Sequence, residues 1–154
     1  MEMDNLLDIW NILLDTNHEL VEFEGPEDGD FGFVYEIYNT TNSKMYIGKK
    51  QFWSHRKMKI GKREKKRRVA DGDLSRFKRV KRETKWREYT GSNDQLNENI
   101  RSGHKITRTI LKIAKSKKEL TYLELKYLFC REVIESDRYY NGNISGKFYS
   151  KDLL

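Results

Sequence analysis

The chain has 154 residues, with 31 Lys and Arg against 24 Asp and Glu, and a formal net charge of +7. This length suits one domain, and an aromatic content of 12% argues against a disordered chain. There is no apolar stretch near the roughly 20 residues of a membrane span and no secretory signal, and the single cysteine, Cys130, excludes an internal disulfide. We therefore expect a soluble, cytoplasmic domain that does not bind a membrane.

The charge is unevenly distributed along the chain. Residues 1–30 contain ten acidic residues and no Lys or Arg, whereas residues 56–87 contain sixteen Lys and Arg and four acidic residues. Such a basic segment is typical of proteins that bind a polyphosphate, although a solvated charge run has the same composition. The composition predicts an acidic, helical N-terminal arm over residues 1–30 and a domain over residues 31–154 with a basic insert at 56–87.

The hydrophobic pattern of the first half predicts a helix, a hairpin and a basic insert. Apolar residues at helical spacing from Met3 to Leu14 predict an amphipathic N-terminal helix. Residues 33–38 and 44–48 are rich in β-branched and aromatic residues and flank a polar turn, so they predict a β-hairpin. The insert has weak periodicity, and we expect a helix, a loop and a second helix near residues 74–83.

The second half adds two helices and a strand. Capping boxes at Ser92 and Ser116 open two helices, the first ended by Gly103 and the second running to about Ser136. A β-branched run over residues 106–114 predicts a strand. The order of elements predicts an α+β domain with a small antiparallel sheet.

The hairpin and the last long helix carry the candidate site residues. Tyr35 and Tyr46 lie on successive strands and can approach each other across the sheet, although ordinary strand tyrosines do the same. Gly48 ends the second strand, where a missing side chain lets a backbone or a phosphate come close. Glu124 lies on an apolar helix face, where a carboxylate needs a cationic partner or a metal. A salt bridge to a nearby Lys or Arg is an equally good interpretation.

In chain order, these residues resemble the motifs of the GIY-YIG nuclease superfamily. The residues that carry the resemblance are Phe33-Val34-Tyr35, Tyr46-Ile47-Gly48, Arg56, Glu124 and Asn141 or Asn143. The segments Lys49-Lys50-Gln51-Phe52, Trp86 to Asn93 and Tyr140-Asn141 are similar to the phage-encoded Seg-type, SegE-like branch. The resemblance spans about residues 31–148. One departure is Phe33, which stands where the family usually has a glycine.

The resemblance implies metal-dependent hydrolysis of DNA phosphodiesters on a three-stranded antiparallel sheet flanked by helices. It implies one Mg²⁺ or Mn²⁺ ion per site, with Glu124 as its ligand, and Arg56 as the residue that holds the phosphate. Tyr35 would be the general base for the attacking water, with Tyr46 orienting it, and His55 is the second candidate for the base. A tyrosine suits that role only if nearby cations lower its pKa.

The remaining expectations concern contacts with DNA. Asn141 or Asn143 would bind backbone near the site or contact a phosphate, although a plain Asn-Gly turn explains the segment as well. The cations expected to bind DNA are Lys49, Lys50, Arg63, Lys66, Arg67, Arg68, Arg79, Arg82, Lys85 and Arg87. Lys49, Lys50 and Arg56 are also the cations expected to lower the tyrosine pKa.

Several functions stay open at this level. The favoured one is a phage-encoded, homing-type DNA endonuclease acting in the host cytoplasm, as a monomer or a dimer. The alternatives are a catalytically inactive DNA-binding module with the same fold and a protein-interaction domain that grips an acidic partner. The acidic arm either covers the sheet with its apolar face or lies over the basic surface and competes with DNA.

Overall fold

A computed structural model of the chain describes residues 9–153, which form two compact units with an α+β fold. The first, which we call the sheet unit, comprises the residues up to Phe52 and those from Lys85 onward. The second, the basic unit, is Trp53–Thr84 and overlaps most of the predicted insert. The division of the chain at residue 30 stays a prediction. Within residues 9–153, no helix is long and apolar enough to cross a membrane.

A five-stranded mixed sheet forms the centre of the sheet unit. In chain order the strands and helices are β1 (Asn11–Leu13), β2 (Leu20–Glu22), β3 (Gly32–Asn39), β4 (Lys44–Gln51), β5 (Trp53–Lys59), α1 (Lys62–Ala70), β6 (Phe77–Glu83), α2 (Asp94–Arg101), β7 (Ile106–Ala114), α3 (Lys117–Cys130), β8 (Asn143–Ile144) and β9 (Phe148–Tyr149). The sheet order is β2-β1-β7-β3-β4, with β1 parallel to β7 and every other neighbouring pair antiparallel. The three predicted strands are present as β3, β4 and β7, but the three-stranded sheet is wrong because β1 and β2 extend it.

The predicted N-terminal helix is wrong where the structure describes it, because Asn11–Leu13 is strand β1. The part of the predicted helix at residues 3–8 lies outside the described residues. Trp10 is 1% exposed, and its ring packs edge-on against Phe33 and Tyr35 at centroid distances of 5.1 and 5.5 Å. The residues that follow Trp10 pair with the side of β7 that β3 does not occupy, and this pairing makes them a strand. These tertiary contacts outweigh the helical spacing of the apolar residues.

The predicted hairpin is confirmed as β3 and β4, and it lies in the middle of the hydrophobic core. β3 is nearly completely buried because it pairs with β4 on one side and with β7 on the other. On one face of the sheet, Val34 and Ile47 belong to an apolar cluster that includes Leu120 and Leu128 of α3. The other face carries a cluster of aromatic rings, formed by Trp10, Phe23, Phe33, Tyr35, Phe52 and Trp86.

The predicted helices after residue 90 are confirmed as α2 and α3, with two changes at their ends. The N-cap of α2 is Asn93, whose side chain accepts a hydrogen bond from the Leu96 amide at 2.9 Å, and not Ser92. Ser116 caps α3 as predicted by accepting from the Glu119 amide at 3.1 Å. α3 ends at Cys130 and not near residue 136, because Glu132 takes up a left-handed conformation with φ of 50°.

The basic unit is an antiparallel ribbon of β5 and β6 with helix α1 between them in sequence. The second helix predicted near residues 74–83 is wrong, because most of this segment is strand β6. The burial of this segment alternates as in a strand: Lys78 and Val80 are half-buried, whereas Arg79 and Lys81 are exposed. His55 and Arg56, expected at the start of a helix, lie within β5.

The basic unit is held together mainly by ion pairs. Its only buried side chain is that of Ile60, at 6% exposure. Glu64 of α1 accepts from Arg68 at 3.0 Å and from Lys78 of β6 at 2.5 Å, and Arg68 also bonds Asp73 at 3.0 Å. The Glu64–Lys78 pair connects the helix to the ribbon, and the Arg68 pairs connect the helix internally and to the loop that follows it.

Acid should loosen the basic unit selectively. Hydrogen bonds from Lys78 and then Arg68 lower the pKa of Glu64, so this carboxylate stabilises the folded form above its unfolded pKa of about 4.3 and loses that contribution as the pH falls further. Hydrogen-exchange protection factors of the α1 amides should therefore be constant at neutral pH and decrease below about pH 4.3. Glu64→Gln should lower them already at neutral pH, whereas Glu98→Gln, at a pair exposed on α2, should not. Acid-independent protection of α1 would contradict this role of Glu64.

Candidate active site

Tyr35 lies across Gly48 on the neighbouring strand. The register of β3 and β4 pairs these two residues directly. A Cβ atom at position 48 would lie 2.4 Å from the Tyr35 hydroxyl oxygen and 2.7 Å from Cζ, well inside contact distance. The position of the Tyr35 ring therefore requires glycine at this point of β4.

Tyr46, two residues before Gly48, packs against Tyr35 and against the segment that precedes α2. The two ring centroids are 6.2 Å apart, and the Tyr46 hydroxyl hydrogen-bonds the Ser92 hydroxyl at 3.1 Å. Gly91 has a φ of 85°, and a Cβ atom there would lie 3.0 Å from the Tyr46 ring. Glycine at 91 thus allows both the left-handed turn and the close approach of Tyr46.

Tyr89 is a third tyrosine at the site, and sequence reasoning gave it no role. Its ring meets that of Tyr35 edge-on at 5.8 Å, and Tyr89 is one of the neighbours that raise the pKa of Tyr35. The Lys50 ammonium lies 4.1 Å from the centre of the Tyr89 ring, and burial lowers the pKa of Lys50. The signal for Tyr89 was its place in the Trp86 to Asn93 segment that carried the family resemblance.

Arg108 holds the segment that carries Tyr89, and sequence reasoning missed it as well. It is 1% exposed on β7, and its Nη1 donates to the carbonyls of Arg87 at 2.7 Å and Tyr89 at 3.0 Å. Its guanidinium also lies 4.7 Å from the centre of the Trp10 ring. The signal was alternation, because Arg108 has the same parity on β7 as the buried Ile106 and Ile110.

Glu124 forms a salt bridge, which was one of the two interpretations of its apolar setting. Its Oε2 lies 2.7 Å from Nζ of Lys49, which also donates to the Thr121 hydroxyl at 3.2 Å. The Glu124 side chain keeps 20% of its surface exposed. This surface faces a cleft of about 430 Å³ whose lining includes Tyr46, Lys49, Ser92, Glu124, Asn141 and Asn143.

The two candidate asparagines have different surroundings. Asn141 pairs with the backbone of Ile47, accepting from its amide at 3.1 Å and donating to its carbonyl at 2.8 Å. It therefore fastens the C-terminal segment to β4 beside the tyrosines. Asn143 is exposed, and its side chain accepts from the Gly146 amide at 3.0 Å, which is a turn contact.

Both tyrosine hydroxyls are made less acidic by their surroundings. Burial is the main cause that raises the pKa of Tyr35 well above its usual value, and Tyr46, Tyr89 and Glu124 add to it. Burial also raises the pKa of Tyr46, although the hydrogen bond with Ser92 acts in the opposite direction. The expected lowering of the Tyr35 pKa by nearby cations is wrong for this arrangement. Both phenols are therefore hydroxyls at neutral pH.

The structure brings part of the predicted site together in the sheet unit. Tyr35, Tyr46, Gly48, Lys49, Glu124 and Asn141 surround or support the cleft. His55 and Arg56 belong to the basic unit and are exposed, and their catalytic roles stay predictions. Of the cations predicted to bind DNA, the basic unit contains Arg63, Lys66, Arg67, Arg68, Arg79 and Arg82, and the sheet unit contains Lys49, Lys50, Lys85 and Arg87.

Besides Lys49 and Lys50, two more of these cations have structural partners. Arg68 is held by Glu64 and Asp73. Arg87 donates to the Glu24 carbonyl at 3.1 Å, and its guanidinium lies 4.3 Å from the centre of the Trp86 ring. Both remain candidates for contacts with DNA, but to bind a phosphate each would have to share its guanidinium with its present partners or lose one of them.

Replacement of Gly48 tests the packing of Tyr35. Gly48→Ala should lower the free energy of unfolding by about 1–3 kcal/mol, since the added methyl group overlaps the Tyr35 ring and this buried ring cannot move away easily. Gly142→Ala is the matched control, because a Cβ atom there meets no atom within 4 Å, and it should change stability by less than about 0.5 kcal/mol. Urea denaturation of both variants measures the difference. Equal stabilities would show that Tyr35 does not need the space above Gly48.

The comparison with protein families bears directly on this site. The family described as "Putative endonuclease segE, GIY-YIG domain" matches residues 17–144, which include both tyrosines, Gly48, Glu124 and Asn141. Among curated proteins and among solved structures, the searches found no significant match. The family match covers most of the chain and includes all the elements that form the cleft. The chain therefore belongs to the SegE-type GIY-YIG endonuclease family.

Proposed function

We propose that the protein is a divalent-metal-dependent DNA endonuclease that hydrolyses phosphodiester bonds at the cleft of the sheet unit. The observation that carries this proposal is the position of Glu124, a part-exposed carboxylate that lines the cleft together with Tyr46 and Lys49. A binding module would have little use for a carboxylate facing the DNA phosphates, because like charges repel. Membership of an endonuclease family supports the same function.

The donor groups at the cleft suit a single hard cation that DNA helps to bind. Within residues 9–153, no group of three or more His, Cys, Asp and Glu side chains is placed to hold a metal ion. Mg²⁺ is commonly bound by one or two carboxylates together with waters and substrate phosphates, so Glu124 alone is a fitting protein ligand. When bound, Mg²⁺ or Mn²⁺ would offset the charge that develops on the scissile phosphate.

Lys49 competes with such an ion for the same carboxylate. Its ammonium bonds Oε2 of Glu124 at 2.7 Å, so an ion at this oxygen would have to displace it or share the carboxylate with it. We therefore expect weak metal binding to the protein alone and tighter binding once a phosphate adds its oxygens. A displaced Lys49 would remain in the cleft as a cation that can contact the phosphate.

The two tyrosines would have different roles. Tyr46 lines the cleft, whereas Tyr35 is 1% exposed and lies behind it. We assign to Tyr46 the contact with the attacking water or the phosphate, and to Tyr35 the support of Tyr46 and β4. As hydroxyls, both hold and orient by hydrogen bonding. The choice between Tyr35 and His55 as general base stays a prediction, and so does the role of Arg56 in holding the phosphate.

The Seg-type resemblance extends the proposal to the biological setting. A phage-encoded homing enzyme would act in the cytoplasm of the host cell and cut recipient DNA. A single chain has one such cleft among its described residues, so a monomer would nick one strand and a dimer would be needed for concerted cleavage of both.

The salt bridge between Lys49 and Glu124 supports a second candidate function. In a DNA-binding module without catalysis, the Glu124 carboxylate would serve only to hold the Lys49 side chain in one position beside the cleft. The two candidates differ in what Glu124 contributes to cleavage and to binding.

Plasmid cleavage separates the two functions. With supercoiled plasmid and Mg²⁺ or Mn²⁺, the wild type should produce nicked or linear DNA. Glu124→Gln should reduce the rate by at least about 100-fold, since the ligand of the ion is lost, while DNA binding measured in EDTA stays within about twofold. Glu135→Gln, at an exposed carboxylate, is the control and should cleave normally. A wild type that binds DNA but never cuts with either metal would establish the binding module instead.

Phenylalanine substitutions test the roles of the tyrosines. Tyr46→Phe should lower the single-turnover cleavage rate by about 100-fold, because the hydroxyl at the cleft is lost while the ring keeps its packing. Tyr35→Phe should have a smaller effect on the rate, because Tyr35 is buried and does not belong to the lining of the cleft. Tyr122→Phe, 65% exposed on α3, is the control. A larger loss for Tyr35→Phe would restore Tyr35 as the residue that acts on the water.

A further inference from the structure

The ribbon of the basic unit has two chemically different faces. Residues directly opposite each other on β5 and β6 project to the same face, and the register pairs Lys57 with Arg79 and Lys59 with Phe77. Lys81 and Phe77 have the same parity as Arg79 on β6, so all these side chains share one face. The other face carries the half-buried Lys78 and Val80, and Lys78 bonds Glu64 of α1. Helix α1 therefore contacts the ribbon on the face opposite to that of Lys57 and Arg79.

We define the ribbon face by its four exposed cations, Lys57, Lys59, Arg79 and Lys81. The basic unit has fourteen Lys and Arg and four acidic residues. Two of the acids have cationic partners away from this face: Glu64 bonds Lys78 of the ribbon and Arg68 within α1, and Asp73 bonds Arg68. Within the described unit, the register places one acid on the ribbon face, Glu83, at its end opposite Trp53.

Like charges lie opposite each other in the middle of the ribbon face. Lys57 and Arg79 are direct cross-strand partners, an arrangement that destabilises an antiparallel pair unless an anion lies between them. A ligand with regularly spaced negative charges would relieve this repulsion.

Aromatic rings order two of the cations on this face. The Lys57 ammonium lies 4.6 Å from the centre of the Phe77 ring, and the Lys81 ammonium lies 4.3 Å from the centre of the Trp53 ring. Both contacts run diagonally across the ribbon between residues of the same face. They restrict long side chains that would otherwise lose rotational freedom on binding a phosphate.

We propose that the ribbon face is the surface through which this protein holds the phosphate backbone of duplex DNA; the inference rests on the proposed function and assigns its substrate contact. Side chains two residues apart on a strand are about 6.8 Å apart, which matches the rise of two base pairs. A two-stranded ribbon also fits the width of the major groove between the phosphate chains. Because phosphate contacts carry no base information, this binding is independent of sequence.

Helix α1 is the competing surface in the same unit. Its exposed cations, Lys62, Arg63, Lys65, Lys66 and Arg67, are spread over more than half of the helix circumference, so they do not form one face. Arg67 also lies in the last turn, where a cation offsets the helix dipole. The four cations of the ribbon face all project in one direction, which favours the ribbon.

Two double variants of the full-length protein separate these surfaces. Lys57→Gln/Arg79→Gln removes two charges from the ribbon face, and Lys62→Gln/Lys66→Gln removes two from α1. Binding to a fluorescein-labelled DNA duplex of random sequence is measured in EDTA over a range of salt concentrations. The ribbon variant should lower the slope of log K against log salt by about 2, and the helix variant by less than about 1. Thermal unfolding confirms that both variants are folded, and Lys57→Arg/Arg79→Lys should bind as the wild type does.

The outcomes also distinguish this inference from the proposed function. The proposal for the ribbon face is overturned if the helix variant lowers the salt slope as much as the ribbon variant or more, or if the ribbon variant keeps the wild-type slope. Either result counts against it even if the protein cleaves plasmid. Weaker DNA binding by the ribbon variant supports the ribbon face even if neither the wild type nor any variant cleaves DNA. In that case only the proposed endonuclease function is rejected. Where the wild type cleaves, the ribbon variant should retain kcat and raise KM. Tighter ribbon-dependent binding to duplex RNA of the same sequence would overturn the choice of DNA.

Discussion

The contact between Tyr35 and Gly48 is the constraint on which the rest of the site depends. It exists only because β3 and β4 pair in one register, and a shift by one residue would turn Tyr35 to the opposite face. That register is fixed by burial, because β3 lies between β4 and β7 and has apolar residues on both faces. The same hydrophobic packing that stabilises the fold therefore also determines where the tyrosines lie.

A second set of polar contacts fixes the segments that surround the cleft. Arg108 binds the carbonyls of Arg87 and Tyr89, and Asn97 binds the carbonyl of Gly91 at 3.1 Å, so both ends of the turn beside Tyr46 are fixed. On the other side of the cleft, Asn141 binds both backbone groups of Ile47. Each of these side chains bonds backbone groups. They support the cleft in the way that outer contacts support catalytic groups, by holding them in one geometry.

The sequence predicted the local parts of the fold better than the long-range ones. The hairpin, α2, β7 and α3 follow from period, caps and turn residues, and each is confirmed. Strand β1 could not be predicted in the same way, because what makes Asn11–Leu13 a strand is the edge of β7, about one hundred residues away in the chain. At the site, the motif order identified Glu124 and the tyrosines. The same motifs do not predict that Tyr46 lines the cleft while Tyr35 lies behind it, because that depends on how closely Gly48 and Gly91 let the rings approach.

The two units obtain their stability from different sources, and this affects how they respond to solution conditions. The sheet unit buries a cluster of aromatic rings and an apolar helix face, which salt weakens little. The basic unit buries Ile60 alone and relies on part-exposed ion pairs, which contribute little individually and are screened by salt. Its large excess of positive charge opposes its own compact state. A polyanion that binds the folded unit would remove this repulsion and stabilise the folded form by mass action, and this effect would be largest at low salt, where both the repulsion and the binding are strongest.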